Sequence, residues 1–216
     1  MAGFAYLSFT LLLSLFISNV LAAPNVTVIP LGNKFCENWP GWMRSPPPDS
    51  TAPFQFQVVQ AAEPDANGLA SDVYTIHGST SNLTTVSINV RKGRRFNNQH
   101  FQCASGKLSL MYGGPNRILQ DPITIAKDYR NAYLVFGIDG YKPEPYELEI
   151  DGVRQPGVYL GALNRTTWGF NYKVPQACGE LDFFGVRLLD LPIDTDMPGA
   201  NRNPEFTGFL KIVSMP

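Results

Sequence analysis

Histidine is nearly missing from this chain, with only His77 and His100 among 216 residues. Cysteine is almost as scarce, at three, and charged residues make up 16%. Two imidazoles leave little material for a metal-bound hydroxide or a nucleophile activated by histidine. No Gly-x-Ser-x-Gly stretch is present to form the elbow of a serine hydrolase. Acidic and basic residues nearly cancel, for a formal net charge of -1, so no overall field selects nucleic acid or an anionic membrane as partner. The three cysteines lack the close pairs of zinc sites. Apolar stripes of 3.6-residue period are also wanting, which argues against a helical domain.

What is present begins with an apolar run from Phe4 to Val20, leading into Leu21-Ala22-Ala23-Pro24. This layout predicts a secretory leader over residues 1–22, with Val20 and Ala22 at the positions a signal peptidase reads and cleavage after Ala22. A basic n-region is absent, and the alternative is an uncleaved anchor at the short limit for a bilayer span. Later segments are too short to cross a membrane as helices, so the mature chain is expected to be secreted without stable membrane insertion. Export would place Cys36, Cys103 and Cys178 in oxidising conditions, where a disulfide between two of them is expected. Three pairings remain open, each leaving one thiol over.

Short β-type runs separated by Gly, Pro, Asn and Asp fill the rest. The clearest alternation is Phe54-Gln55-Phe56-Gln57-Val58, which predicts one apolar and one wet face. Asp151-Gly152 suits the tight turn of a hairpin. The expected fold is all-β, a β-sandwich or partly open barrel of about ten short, mainly antiparallel strands. Residues 53–216 form the β domain in this reading. Residues 23–52 form an N-terminal strap rich in Pro and Trp, since Trp39-Pro40-Gly41-Trp42 and Pro46-Pro47-Pro48 suit neither helix nor central strand.

Several local patterns carry candidate chemistry. From Asp194 to Glu205 the chain sets Asp194, Asp196 and Glu205 at positions 1, 3 and 12 of a calcium-loop pattern, with Gly199 at position 6 and Pro198 where a ligand belongs. Calcium is therefore the one cofactor considered, against an ordinary polar loop. Glu147, Glu149 and Asp151 alternate as carboxylates on the wet side of a strand would, with Glu144 just ahead of them, and a glycosidase pair among the four is the rival reading. No catalytic residue is assigned. The basic run Arg91-Lys92-Gly93-Arg94-Arg95 offers a contact for an acidic polysaccharide, a dibasic processing site at Arg94-Arg95, or a solvated turn. Asn25, Asn82 and Asn164 head N-glycosylation sequons. Trp39, Trp42 and Trp168 are either core residues or stacking platforms for sugar rings.

The opening leader, the stretch Phe101-Gln102-Cys103-Ala104-Ser105-Gly106-Lys107-Leu108-Ser109-Leu110, the strand Val158-Tyr159-Leu160 and the ending Gly208-Phe209-Leu210-Lys211-Ile212-Val213 are similar in layout to small secreted fungal cell-wall proteins of the phialide-type and IgE-binding-type group. The chain departs from them in its cysteines and its Pro/Trp strap. The resemblance implies an extracellular or wall-associated protein with no catalytic residues to carry over. The expectation is a secreted, non-catalytic glycoprotein acting at a cell wall or a host or cell surface, with cell-wall polysaccharide or an extracellular protein as partner. Its alternative is a carbohydrate-binding or carbohydrate-active protein using exposed tryptophans and carboxylates. The oligomeric state stays open.

Overall fold

The computed structural model describes residues 24–32, 34–43, 49–77, 82–92, 100–111, 122–127, 133–174, 182–191 and 205–215. The leader expected at 1–22, Cys178, Arg94, Arg95, Asp194 and Asp196 lie outside the described residues, as does the side chain of Asn82.

Among the described residues there is no α-helix, and one 3-10 turn, Pro64–Ala66, interrupts a succession of seventeen strands. These are β1 (Val26–Pro30), β2 (Trp42–Met43), β3 (Ser50–Thr51), β4 (Phe54–Val59), β5 (Ser71–His77) and β6 (Asn82–Asn89). They continue with β7 (His100–Ala104), β8 (Lys107–Met111), β9 (Ile123–Ala126), β10 (Leu134–Phe136), β11 (Gly140–Tyr141) and β12 (Glu144–Ile150). The last are β13 (Val153–Arg154), β14 (Val158–Gly161), β15 (Thr167–Lys173), β16 (Phe183–Leu188) and β17 (Phe206–Ser214). The fold is all-β and sandwich-like, one large antiparallel sheet that does not close into a barrel.

The expected ten strands are an undercount. Four of the extra strands, β2, β3, β11 and β13, are two residues long, too short for any alternation to register. Others were hidden by polar composition: β5 follows a loop-like stretch and mixes Asp72, Thr75 and His77 with its apolar residues.

The C-terminal strand is the hub. Residues 209–214 of β17 pair with β4, residues 206–209 with β15, and residues 211–212 with β14. From β15 the sheet runs through β16 and β6 to β5, from β14 through β12 to β1, and from β4 through β7 to β8. An isolated bridge, Gln57 to Ala70, brings the start of β5 back beside β4. The sheet thus curls over a single main core.

Alternation in β4 works as the sequence predicts: Phe54, Phe56 and Val58 are fully buried and the residues between them are partly wet. They meet Val86 and Ile88 of β6, Trp168 and Phe170 of β15, Val186 of β16 and Leu210 of β17 in one cluster. Each such side chain contributes roughly 1.5–3 kcal/mol by leaving water. The opposite face of β17 carries Phe209, which joins Leu148 and Tyr159 in a smaller cluster against Val26 and Val28 of β1. At the start of the N-terminal segment Val26–Pro30 forms a strand, as its β-type run suggests, and pairs along β12 through five positions. The Asp151-Gly152 hairpin also forms, with φ of 52° and 78° at the two residues, the positive values a two-residue turn between right-twisted strands demands.

Candidate binding surface

The three cysteines resolve in part: Cys36 and Cys103 form a disulfide across 67 residues, and both are fully buried. This bond fastens the segment after β1 to the β7–β8 hairpin. Further contacts hold the same segment. The N–H of Cys36 donates to Asp49 Oδ1, and the N–H of Gly106 donates to Cys36 Sγ at 3.3 Å. Asn38 Nδ2 donates to the carbonyl of Leu31. A Cβ at position 106 would stand 2.8 Å from the carbonyl oxygen of Lys34, so only glycine lets the hairpin approach this closely.

The segment then turns its aromatic residues in two directions. Trp39 goes inward, stacking on Phe54 with ring centres 5.7 Å apart, and its Nε1 is buried without a hydrogen-bond partner. Trp42 goes outward. It lies in β2 opposite Thr51 of β3, and β3 is itself joined to β7 through Ser50 and Ala104. Thr51 Oγ1 accepts the N–H of Cys103 at 3.0 Å, tying the short hairpin to the disulfide. On this segment Phe35, Trp42 and Met43 are 48%, 41% and 40% exposed. Lys34 sets its ammonium 5.4 Å from the centre of the Phe35 ring, within cation–π range. Nearby, burial pushes the Lys142 ammonium below its ordinary value, while Glu144 and Asp49 act in the opposite direction.

Of the three tryptophans considered for sugar stacking, Trp168 is completely buried and Trp39 nearly so. Neither has an open face, because each fills the core where the sheet curls. Trp168 Nε1 donates to the carbonyl of Leu160 at 2.8 Å, which satisfies the indole inside the core. Of the three, Trp42 alone stays exposed. Phe35 and Met43 were not singled out from the sequence; the usable signal is their place in a proline-rich segment beside a cysteine, away from any alternating strand.

Three of the four carboxylates of β12 and its turn have structural partners. Glu144 accepts the phenolic O–H of Tyr146, Glu147 pairs with Arg154, and Asp151 Oδ1 accepts the N–H of Asn25 at 2.9 Å. Glu149 stands opposite Thr27 of β1 and Arg154 of β13. Glu205, the described member of the calcium pattern, is exposed and gives its N–H to the carbonyl of Phe170 at 2.9 Å. Among the described residues no cluster of three or more His, Cys, Asp or Glu side chains is placed to hold a metal. Arg91 and Lys92 are exposed just after β6, and Asn89 Oδ1 accepts the N–H of Arg91 at 2.9 Å. Nδ1 of His100 is buried without a partner. No helix among the described residues is long and apolar enough to cross a membrane.

Tyr146 and Tyr159 give the fold a pH signature. Burial pushes the Tyr146 phenol well above its ordinary value, and Glu144 beside it adds to the shift, whereas the N–H of Asn164 on its oxygen acts against it. Tyr159 is raised by burial. Both folded-state values exceed those of the unfolded chain, so their contribution is fully present below about pH 10 and is lost as pH rises beyond it. Urea midpoints between pH 8 and 11.5 are expected to fall on the alkaline side, with a shallower fall in Tyr146→Phe. Equal slopes in the two proteins would refute the assignment to Tyr146.

No protein-family model and no curated protein sequence matches the chain.

Proposed function

We propose that the chain is an exported, non-catalytic glycoprotein that acts at a cell wall or cell surface, making contact through the disulfide-fastened segment that exposes Phe35, Trp42 and Met43. The observation that carries this reading is the exposure of these three large apolar residues on a segment fastened to the sheet by a buried disulfide. Apolar and aromatic groups held rigidly in water lose little conformational freedom on binding, which is how a few residues come to dominate an interface. The leader pattern, the sequons and the layout similar to small secreted fungal wall proteins support the same setting. The engagement of Glu144, Glu147 and Asp151 in structural contacts supports a binding role over acid–base chemistry.

A second reading is favoured by Trp42 alone: stacking of its exposed indole on a sugar ring would make the domain a carbohydrate-binding one. Co-sedimentation separates the two. The protein is mixed with fungal wall fragments, with the same fragments after protease treatment, and with purified insoluble β-glucan and chitin. Retention on untreated walls, weakened about tenfold in Trp42→Ala, is expected. Binding that persists on the purified polysaccharides favours the second reading, and binding abolished by protease identifies a protein partner. Retention on none of the surfaces, or equal retention of Trp42→Ala, would sink the proposed contact.

A further inference from the structure

Thr166 sits at an energetic disadvantage that the fold does not explain. It is buried, at 2% exposure, and its Oγ1 has no hydrogen-bond partner. A buried hydroxyl without a partner costs free energy, and valine offers nearly the same shape without the polar atom. Folding by itself therefore favours valine here. The hydroxyl has a second context: Thr166 is the third residue of Asn164-Arg165-Thr166, the acceptor pattern for N-linked glycans.

We infer that Asn164 is an N-glycosylation site, and that position 166 retains its hydroxyl for glycan transfer and not for the fold. This rests on the export reading above. The local geometry suits a glycan. Leu163 and Asn164 occupy a two-residue turn with φ of 50° and 59°, closed by reciprocal hydrogen bonds between Ala162 and Arg165 at 3.0 and 2.9 Å. Leu163, Asn164 and Arg165 are all exposed. Asn164 is tied to the core by its backbone N–H, which donates to the Tyr146 oxygen at 3.0 Å. A glycan on Nδ2 would thus project into water without disturbing β14 or β15.

In the transfer, Nδ2 of Asn164 attacks the anomeric carbon of an oligosaccharide carried on a lipid diphosphate. The C–N bond forms as the bond from that carbon to the diphosphate oxygen breaks; one amide proton passes to a base of the transferase and the lipid diphosphate leaves. Burial of Thr166 sets the order of events, since the transferase can reach its hydroxyl only before β14 and β15 pack.

The test is cell-free translation of the full chain with eukaryotic microsomes, with and without a host leader fused ahead of Met1. Protease protection reports import, and peptide mass after peptide-N-glycosidase treatment reports occupancy at Asn164. Imported chain is expected to carry a glycan at Asn164 that Asn164→Gln and Thr166→Val remove and Thr166→Ser retains. Unglycosylated protein made oxidised in a bacterial host should melt at the same or a higher temperature as Thr166→Val. Import with the host leader but a bare Asn164 overturns the site while leaving the export reading intact. Import and glycosylation only with the host leader sinks the export reading and upholds the site. A melting temperature lowered by several degrees in Thr166→Val shows that the hydroxyl serves the fold, and overturns the inference.

Discussion

Replacing both cysteines of the disulfide, in Cys36→Ala/Cys103→Ala, is expected to lower the free energy of unfolding by about 4 kcal/mol. The bond closes a loop spanning 67 residues of sequence, and the restriction it places on the unfolded chain grows with the logarithm of that length. Single domains are stable by only about 5–15 kcal/mol in total, so the loss would leave the variant marginal. Urea unfolding of both proteins under oxidising conditions measures the difference, provided the slopes agree. The loss should also have a location. Hydrogen exchange is expected to rise more in residues 34–43 than in β17, because the disulfide fastens the first to β7 while β17 is hydrogen-bonded along both edges. A loss under about 1 kcal/mol would mean that the Asp49 and Asn38 contacts and the Trp39–Phe54 stack hold this segment without the covalent bond.

Trp168→Ala is expected to cost about 4–5 kcal/mol, combining the cavity left by the indole with the stranded carbonyl of Leu160. Trp168 is fully buried in the main core, and its Nε1 supplies the 2.8 Å hydrogen bond to that carbonyl. Trp168→Phe separates the two effects, since it retains much of the ring and removes the donor. Its cost should be well below that of the alanine variant, about 1–3 kcal/mol. Unfolding monitored by far-ultraviolet circular dichroism reads both variants. An alanine variant within about 2 kcal/mol of wild type would show that the core collapses around the site, contrary to the close packing described. If the alanine variant fails to fold, the phenylalanine variant still tests the hydrogen bond.

The two variants mark where the sequence was readable. Phe54-Gln55-Phe56-Gln57-Val58 predicts its own burial because a strand alternates its faces whatever its neighbours are, and Asp151-Gly152 predicts its turn because positive φ is a local demand. Trp168 was less legible. In sequence it is one of three tryptophans that are either core or platform, and nothing within a few residues of each separates the cases. Burial depends on which strand lies alongside: Trp168 faces inward because β15 lies between β16 and β17, while Trp42 stays wet because β2 pairs with β3. The two-residue strands escaped for a related reason, being defined by long-range hydrogen bonds with no local pattern of their own.

Composition and periodicity by themselves determined the all-β class, the alternation of β4, the scarcity of histidine chemistry and the set of cysteines and sequons. These follow from residue type and near neighbours, which the chain carries wherever it goes. Tertiary structure decided that Cys36 and Cys103 meet, that Trp39 and Trp168 are buried while Phe35, Trp42 and Met43 face water, and that the hydroxyl of Thr166 is enclosed without a partner. Each of these depends on segments distant in sequence being brought together by the antiparallel pairings around β17, and no local propensity encodes that proximity.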